Sequence, residues 1–254
     1  MTENISVSAE DRVLTIRMER LEKKNALTGG MYLRMIEALE RAQADAAVRV
    51  IVITGSEDCF TAGNDLVDFA NAKPGERSPA LLYLHKLAAV EKPVIAAVGG
   101  VAVGIGTTLL LHCDLVYAAA GSRFQLPFVN LGLCPEAGSS YILPAMLGQR
   151  RAAELLYFGE PFGAEKAREL GIVNEVIGEG DVFTHAMSKA RQLAEKPPSS
   201  LRTAKRLMKQ GTAQSIADAM ARETEQFVAL LQGPEAKEAM TAFMQKRKAD
   251  FSRF

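Results

Sequence analysis

The segment from Val94 to Leu111 constrains this chain most. It is the longest apolar stretch, and Gly99, Gly100, Gly104 and Gly106 interrupt it. Two threonines lie inside it, and Asp114 follows closely. A membrane helix needs about 20 mostly apolar residues with few breaks. The pattern instead predicts a buried strand at Val94–Val98, opened by Pro93, then a turn and a helix. Val50–Thr54 and Leu115–Ala119 are similar short apolar runs, as expected of strands covered on both faces.

Around these runs the periodicity changes. Ile5–Ser8 and Val13–Met18 alternate apolar and polar residues, which predicts a half-buried hairpin turning at Asp11 and Arg12. Thr28 is placed to cap a helix over about Gly29–Ala46, with Met31, Met35, Ile36 and Leu39 on one face. Gly55–Asp58 turns the chain. Residues 71–79 combine two prolines, a glycine and three charges, which predicts a mobile surface loop. A helix is expected over Leu81–Val90, another over Ala164–Leu170 with Gly171 as its stop, and a last strand at Ile172–Val176. After Asp181 the chain reads as helix, broken at Pro197-Pro198, Gly211 and Gly233-Pro234. The final helix is expected over about Glu235–Lys248. The fold class is α/β: a layered β-rich core over residues 1–195 and a helical region over 196–254.

Composition removes several function classes. Lys plus Arg and Asp plus Glu each number 30, so no net basic field exists to recruit nucleic acid or an anionic membrane. Cys59, Cys113 and Cys134 have no pairing pattern, which fits a reducing compartment. His85, His112 and His185 are scattered, so no metal site is expected. Met1–Glu10 carries acids and no basic apolar run, and the chain ends Phe251-Ser252-Arg253-Phe254, so neither a secretory nor a peroxisomal signal is read. Cytoplasm is the default expectation.

Three motifs could carry chemistry. Gly100–Gly106 follows a strand and opens a helix, but it lacks the third glycine and the βαβ context of a dinucleotide loop. Its glycines allow either close approach of backbone to a ligand or tight strand–helix packing. Phe60–Leu66 contains Gly63-Asn64-Asp65, which can present backbone N–H groups or simply form an Asx-stabilised loop. Pro135–Ser140 looks like a helix start, where an acid such as Glu136 complements the helix dipole. If Leu131, Leu133 and Cys134 line a pocket, that carboxyl would instead be desolvated and suited to carry a proton. Ser139 has no nucleophile-elbow pattern around it.

Taken together, these segments resemble the crotonase (enoyl-CoA hydratase/isomerase) superfamily along nearly the whole chain. The resemblance rests on Asn25-Ala26-Leu27, Phe60–Leu66, Pro93–Gly100, Gly104-Ile105-Gly106, Cys113-Asp114, Pro135–Ser140 and Phe243–Phe251, in that order. Ala62–Leu66, Ala102–Ile105 and Pro135-Glu136 with Ser139-Ser140-Tyr141 look most like the Δ3,Δ2-enoyl-CoA isomerase branch. The resemblance implies a core of repeated ββα units, a C-terminal helical region that helps trimerise, and a homotrimer or a dimer of trimers. It also implies an acyl-CoA substrate, no metal or redox cofactor, and two backbone N–H donors for the thioester oxygen, which fall at Asn64 and Ile105. The two hydratase glutamates fall at Thr108 and Phe128, neither of which can shuttle a proton. Glu136 falls where isomerases of the family place their base. Further substrate contacts are expected from Ala26, Leu27, Ala62, Gly63, Asp65, Leu66 and Gly104, and an acyl pocket from Phe128, Leu133 and Tyr141. A cover is expected from residues 66–90. Lys24 and Lys246 could meet CoA phosphates or simply be solvated charges.

Overall fold

The structure, a computed structural model, describes residues 4–65, 67–68, 78–178 and 181–254. Two sheets form its centre. The larger one runs β1 (Ile5–Glu10), β2 (Val13–Met18), β3 (Val50–Thr54), β5 (Val94–Val98), β7 (Leu115–Ala119), β10 (Glu175–Ile177) in spatial order. The smaller one runs β4 (Cys59–Thr61), β6 (Val101–Val103), β8 (Arg123–Gln125), β9 (Phe162–Gly163). The β1–β2 and β8–β9 pairs are antiparallel and the others parallel.

Consecutive strands therefore part company. β3 and β4, β5 and β6, and β7 and β8 each send their first member to the large sheet and their second to the small one. The corners between them are crowded. At Gly100, with φ +60°, an added Cβ would lie 1.7 Å from the Asp58 carbonyl oxygen, so no side chain fits. Ser122, at the next corner, donates its hydroxyl to the Val98 carbonyl at 2.9 Å.

The central strands are buried on both faces because each face meets a different core. Ile51, Ile53, Val94, Ala96 and Val98 join the main core. Val50, Val52, Ile95 and Ala97 pack with Val182, Ala186, Met187 and Ala190 of the later helix Val182–Ala194. Burying each Val or Ile contributes roughly 1.5–3 kcal/mol.

Helix α1 (Gly29–Ala44) starts where Thr28 accepts a hydrogen bond from the Met31 amide, and it buries Met31, Tyr32, Met35, Ile36 and Leu39. α2 (Pro79–Ala88) begins two residues before the expected start, since Ser78 caps it and proline suits a first turn. The short α3 (Ile105–Thr108), α4 (Ser139–Leu147), α5 (Gln149–Phe158) and α6 (Ala164–Glu169) follow. α7 (Val182–Ala194) is capped by Asp181. α8 (Pro198–Gln210), α9 (Ala213–Leu231) and α10 (Pro234–Met244) form the C-terminal part.

The apolar stretch is thus β5, β6, α3 and a 3-10 turn at Leu109–His112, and no described helix is long and apolar enough to cross a membrane. Other expected boundaries move. The last strand is Glu175–Ile177, because the amides of Ile172 and Val173 both bond to the Ala167 carbonyl at the end of α6. The last helix stops at Met244, and Lys246 adopts a left-handed φ of 53°. α1 ends at Ala44, since Asp45 is extended. Leu66 and the predicted loop at residues 71–77 lie outside the described residues.

Candidate active site

The site is built from the ends of two neighbouring parallel strands. Thr61 of β4 pairs with Ala102 of β6. Three residues beyond each partner lie Asn64 and Ile105, so the register carries both to the same end of the small sheet. The backbones touch there: a Cβ on Gly63, with φ +93°, would meet the Val103 carbonyl oxygen at 2.7 Å.

The Asn64 amide is directed by an isolated parallel bridge to Leu27. Its two hydrogen bonds run from the Leu27 amide to the Gly63 carbonyl and from the Asp65 amide to the Leu27 carbonyl, at 2.8 and 2.9 Å. The flanking groups face Leu27, so the N–H of Asn64 faces away from it. Ile105 is the first residue of α3, where amides lack an intrahelical acceptor. The Gly104 carbonyl is taken by the Thr107 and Thr108 amides.

Residues 24–27 are fastened along this loop. Asn25 is fully buried at φ +53°. Its side-chain oxygen accepts the Arg20 amide at 2.7 Å, and its Nδ2 donates to the carbonyls of Cys59 and Phe60. The Thr61 hydroxyl donates to the Asn25 carbonyl at 2.6 Å, and the Ala62 amide to that of Lys24 at 2.9 Å. Ala26, Leu27, Ala62, Gly63 and Gly104 are therefore brought to one place. Asp65 is there too, but its carboxylate is occupied by Arg20 at 2.6 Å, which holds its pKa below the usual range.

Glu136 is 3% exposed. It does not sit in the first turn of a helix: α4 begins only at Ser139, so the dipole reading of this residue is corrected. The turn before α4 passes through left-handed Ala137 and Gly138, which detaches Glu136 from the helix axis. Its Oε1 accepts a hydrogen bond from Thr108 Oγ1 at 2.8 Å, and Thr108 is the last residue of α3. Burial pushes its pKa up to about 7, the Thr108 hydroxyl opposes the rise, and the Glu223 carboxylate adds to it. Replacing Thr108 with Val removes the hydroxyl that donates to the carboxylate. The acidic limb of the kcat/KM–pH profile should then move to higher pH, as read by steady-state assays between pH 5 and 9.

Tyr32 joins the two halves of the site. Its hydroxyl donates to the Asn64 side-chain oxygen at 2.6 Å. Its pKa is raised well above the ordinary value by burial and, next, by the nearby Glu136 charge. Tyr32 and Arg20 were not singled out from the sequence, Asn25 entered only as the first residue of the Asn25-Ala26-Leu27 motif, and Thr108 only as a position where a hydratase glutamate is missing. Tyr32 carried a signal: a phenol within the apolar stripe that also holds Met35, Ile36 and Leu39.

Phe128 and Leu133 are buried in the main core, and Tyr141 is half-buried on α4. The side chains of Lys24 and Lys246 are exposed, and Lys246 lies past the end of α10. Among the described residues no group of three His, Cys, Asp or Glu side chains could hold a metal ion.

The family described as enoyl-CoA hydratase/isomerase matches residues 8–253. The chain is 34% identical to the 2,3-dehydroadipyl-CoA hydratase of Escherichia coli over 249 residues, 96% of this chain and 97% of that protein. It is 36% identical to enoyl-CoA delta isomerase 2 of Rattus norvegicus over 222 residues, 85% of this chain and 56% of that protein. Its fold is similar to the solved structure of Pseudomonas aeruginosa OdaA, with a TM-score of 0.93 and 50% identity, covering 96% of this chain and 99% of that one. Fold and likeness together define an enzyme of the crotonase class. The chain belongs to the enoyl-CoA hydratase/isomerase family within that superfamily.

Proposed function

We propose that the protein is an enoyl-CoA isomerase that moves a double bond from position 3 to position 2. The observation that carries this reading is the buried carboxyl of Glu136, hydrogen-bonded to Thr108, with Thr108 and Phe128 at the positions where a hydratase of the family would carry its glutamates.

The chemistry follows from the acidity of the substrate. An acyl-thioester α-proton leaves only if the enolate oxygen is stabilised. The amides of Asn64 and Ile105 would hold that oxygen, and losing one such donor typically costs about 3–4 kcal/mol of barrier. Glu136 takes the proton from C2, leaving a conjugated dienolate, and returns it to C4 to give the trans-2-enoyl-CoA. One carboxyl suffices because both carbons belong to one allylic fragment. A pKa of about 7 suits both steps near neutral pH. The thioester is itself the electron sink, so the reaction requires no resident metal or redox group.

Water addition is the rival reaction, and the Escherichia coli hydratase relative gives it weight. It needs a second proton-handling group to orient water, and Phe128 offers apolar surface instead. Hydration of a trans-2-enoyl-CoA should run at least ~10³-fold slower than isomerisation of the matching 3-enoyl-CoA. Following both substrates with purified enzyme by chromatography of the CoA products tests this. Comparable rates would rule out the isomerase reading.

Self-association into a homotrimer or dimer of trimers belongs to the same proposal. Leu207 and Met208 on α8 and Phe243 and Met244 on α10 are large exposed apolar side chains. A cytoplasmic enzyme acting on soluble CoA thioesters fits this reading, with no nucleic acid or membrane partner.

A further inference from the structure

The turn that carries Glu136 is held by a residue of a helix far along the chain. Gly138 and Ser140 donate their backbone N–H groups to the two oxygens of the Glu223 carboxylate, at 2.6 and 2.8 Å. Glu223 belongs to α9 and is 7% exposed. The first turn of α4 thus gets its negative partner from another helix, which leaves Glu136 free to face elsewhere. The same turn is closed from within: the Ser139 amide and hydroxyl both donate to the Glu136 carbonyl, at 3.0 and 2.5 Å. It is also held by His112, whose Nε2 lies 2.8 Å from the Ala137 carbonyl. A carbonyl only accepts, so Nε2 carries the proton.

We propose that Glu223 is a positioning residue for Glu136: its two-pronged grip on Gly138 and Ser140 fixes the left-handed turn that aims the Glu136 carboxyl at the strand-end amides. The proposal rests on Glu136 being the base. Packing agrees with it, since Ile216 and Met220 of the same helix close over Gly138, within 3.1 and 3.4 Å of where a Cβ would stand. Glu223 also acts through space. The groups facing Glu136 are Thr108 from α3, Tyr32 from α1, Cys134 on its own loop and Glu223 from α9, with neutral His112 one residue along. Of these, Glu223 is the one whose carboxylate charge raises the Glu136 pKa, favouring the protonated form of Glu136.

Two variants separate grip from charge. Glu223→Asp keeps the charge but is too short to reach both amides. It should lose at least ~10-fold in kcat on a 3-enoyl-CoA, with KM changed little and the acidic limb of the pH profile in place. Glu223→Gln keeps the length and one acceptor oxygen but removes the charge. It should show a smaller loss in kcat and an acidic limb displaced to lower pH. Glu136→Gln serves as the reference. If Glu136→Gln is inactive while both Glu223 variants keep wild-type kcat and an unmoved limb, the base stands and the positioning role falls. If Glu136→Gln retains wild-type turnover, the functional reading itself falls. If neither Glu223 variant folds, as judged by circular dichroism, Glu223 is a determinant of the whole fold and the proposal is overturned.

Discussion

Replacing Glu136 with Gln should cut turnover of a 3-enoyl-CoA by roughly 10²–10⁴-fold, the range a positioned acid–base group supplies. Binding of a CoA thioester should stay within a few-fold of wild type, since the amides assigned to the thioester oxygen belong to Asn64 and Ile105. Stopped assays and calorimetric titration with a non-isomerisable acyl-CoA measure the two quantities separately. Wild-type turnover in the variant would remove Glu136 from the mechanism.

The same substitution should stabilise the protein at alkaline pH. The Glu136 pKa is raised from an ordinary 4.5 to about 7, so between those values the folded state binds more protons than the unfolded one. Stability from this group therefore falls as pH rises from 4.5 through 7. The native enzyme carries a burden of about 3 kcal/mol above pH 7 that Gln does not share, at about 1.4 kcal/mol per pKa unit. Thermal melts should show the variant ahead at pH 8 and level with wild type near pH 4.5. A gap that persists at low pH would mean that burial of charge is not its cause.

The second large effect concerns stability. Asn25→Ala should cost about 3 kcal/mol or more. The Arg20 amide loses its acceptor, and the carbonyls of Cys59 and Phe60 each lose a donor, the Cys59 carbonyl keeping the amide and hydroxyl of Ser56. Each unpaired buried group costs about 1–3 kcal/mol. A left-handed alanine adds roughly 1–2 kcal/mol, whereas asparagine tolerates the φ of +53°. Urea denaturation measures the loss. Because residues 24–27 fasten the Asn64 loop, folded variant should also show a lower kcat. A loss below 1 kcal/mol would mean that the network relaxes around the gap.

The long buried strands were legible because each reads as an unbroken apolar run. Val50–Thr54 and Val94–Val98 have cores on both faces, so no polar residue marks an outer side. The second member of each strand pair was not legible. Cys59–Thr61, Val101–Val103 and Arg123–Gln125 are three residues long, too short for a period of two to show. Asn64, Ile105 and Glu136 were selected through family resemblance, not local pattern. Local pattern alone put Glu136 in a helix's first turn. The carboxylate that serves that turn is Glu223, and nothing in the sequence near residue 136 points to it. Tyr32 was hidden differently, inside a stripe of apolar neighbours where a phenol passes as core.

The distance along the chain between the turn and its holder has a bearing on biosynthesis. Glu223 lies 85 residues after Gly138, and the ten strands among the described residues precede it. On the ribosome both sheets can assemble while α9 is still being made. A nascent chain would then form its strand-end amides before the turn at Glu136 is fixed, and a complete site would arrive with the last helices to emerge.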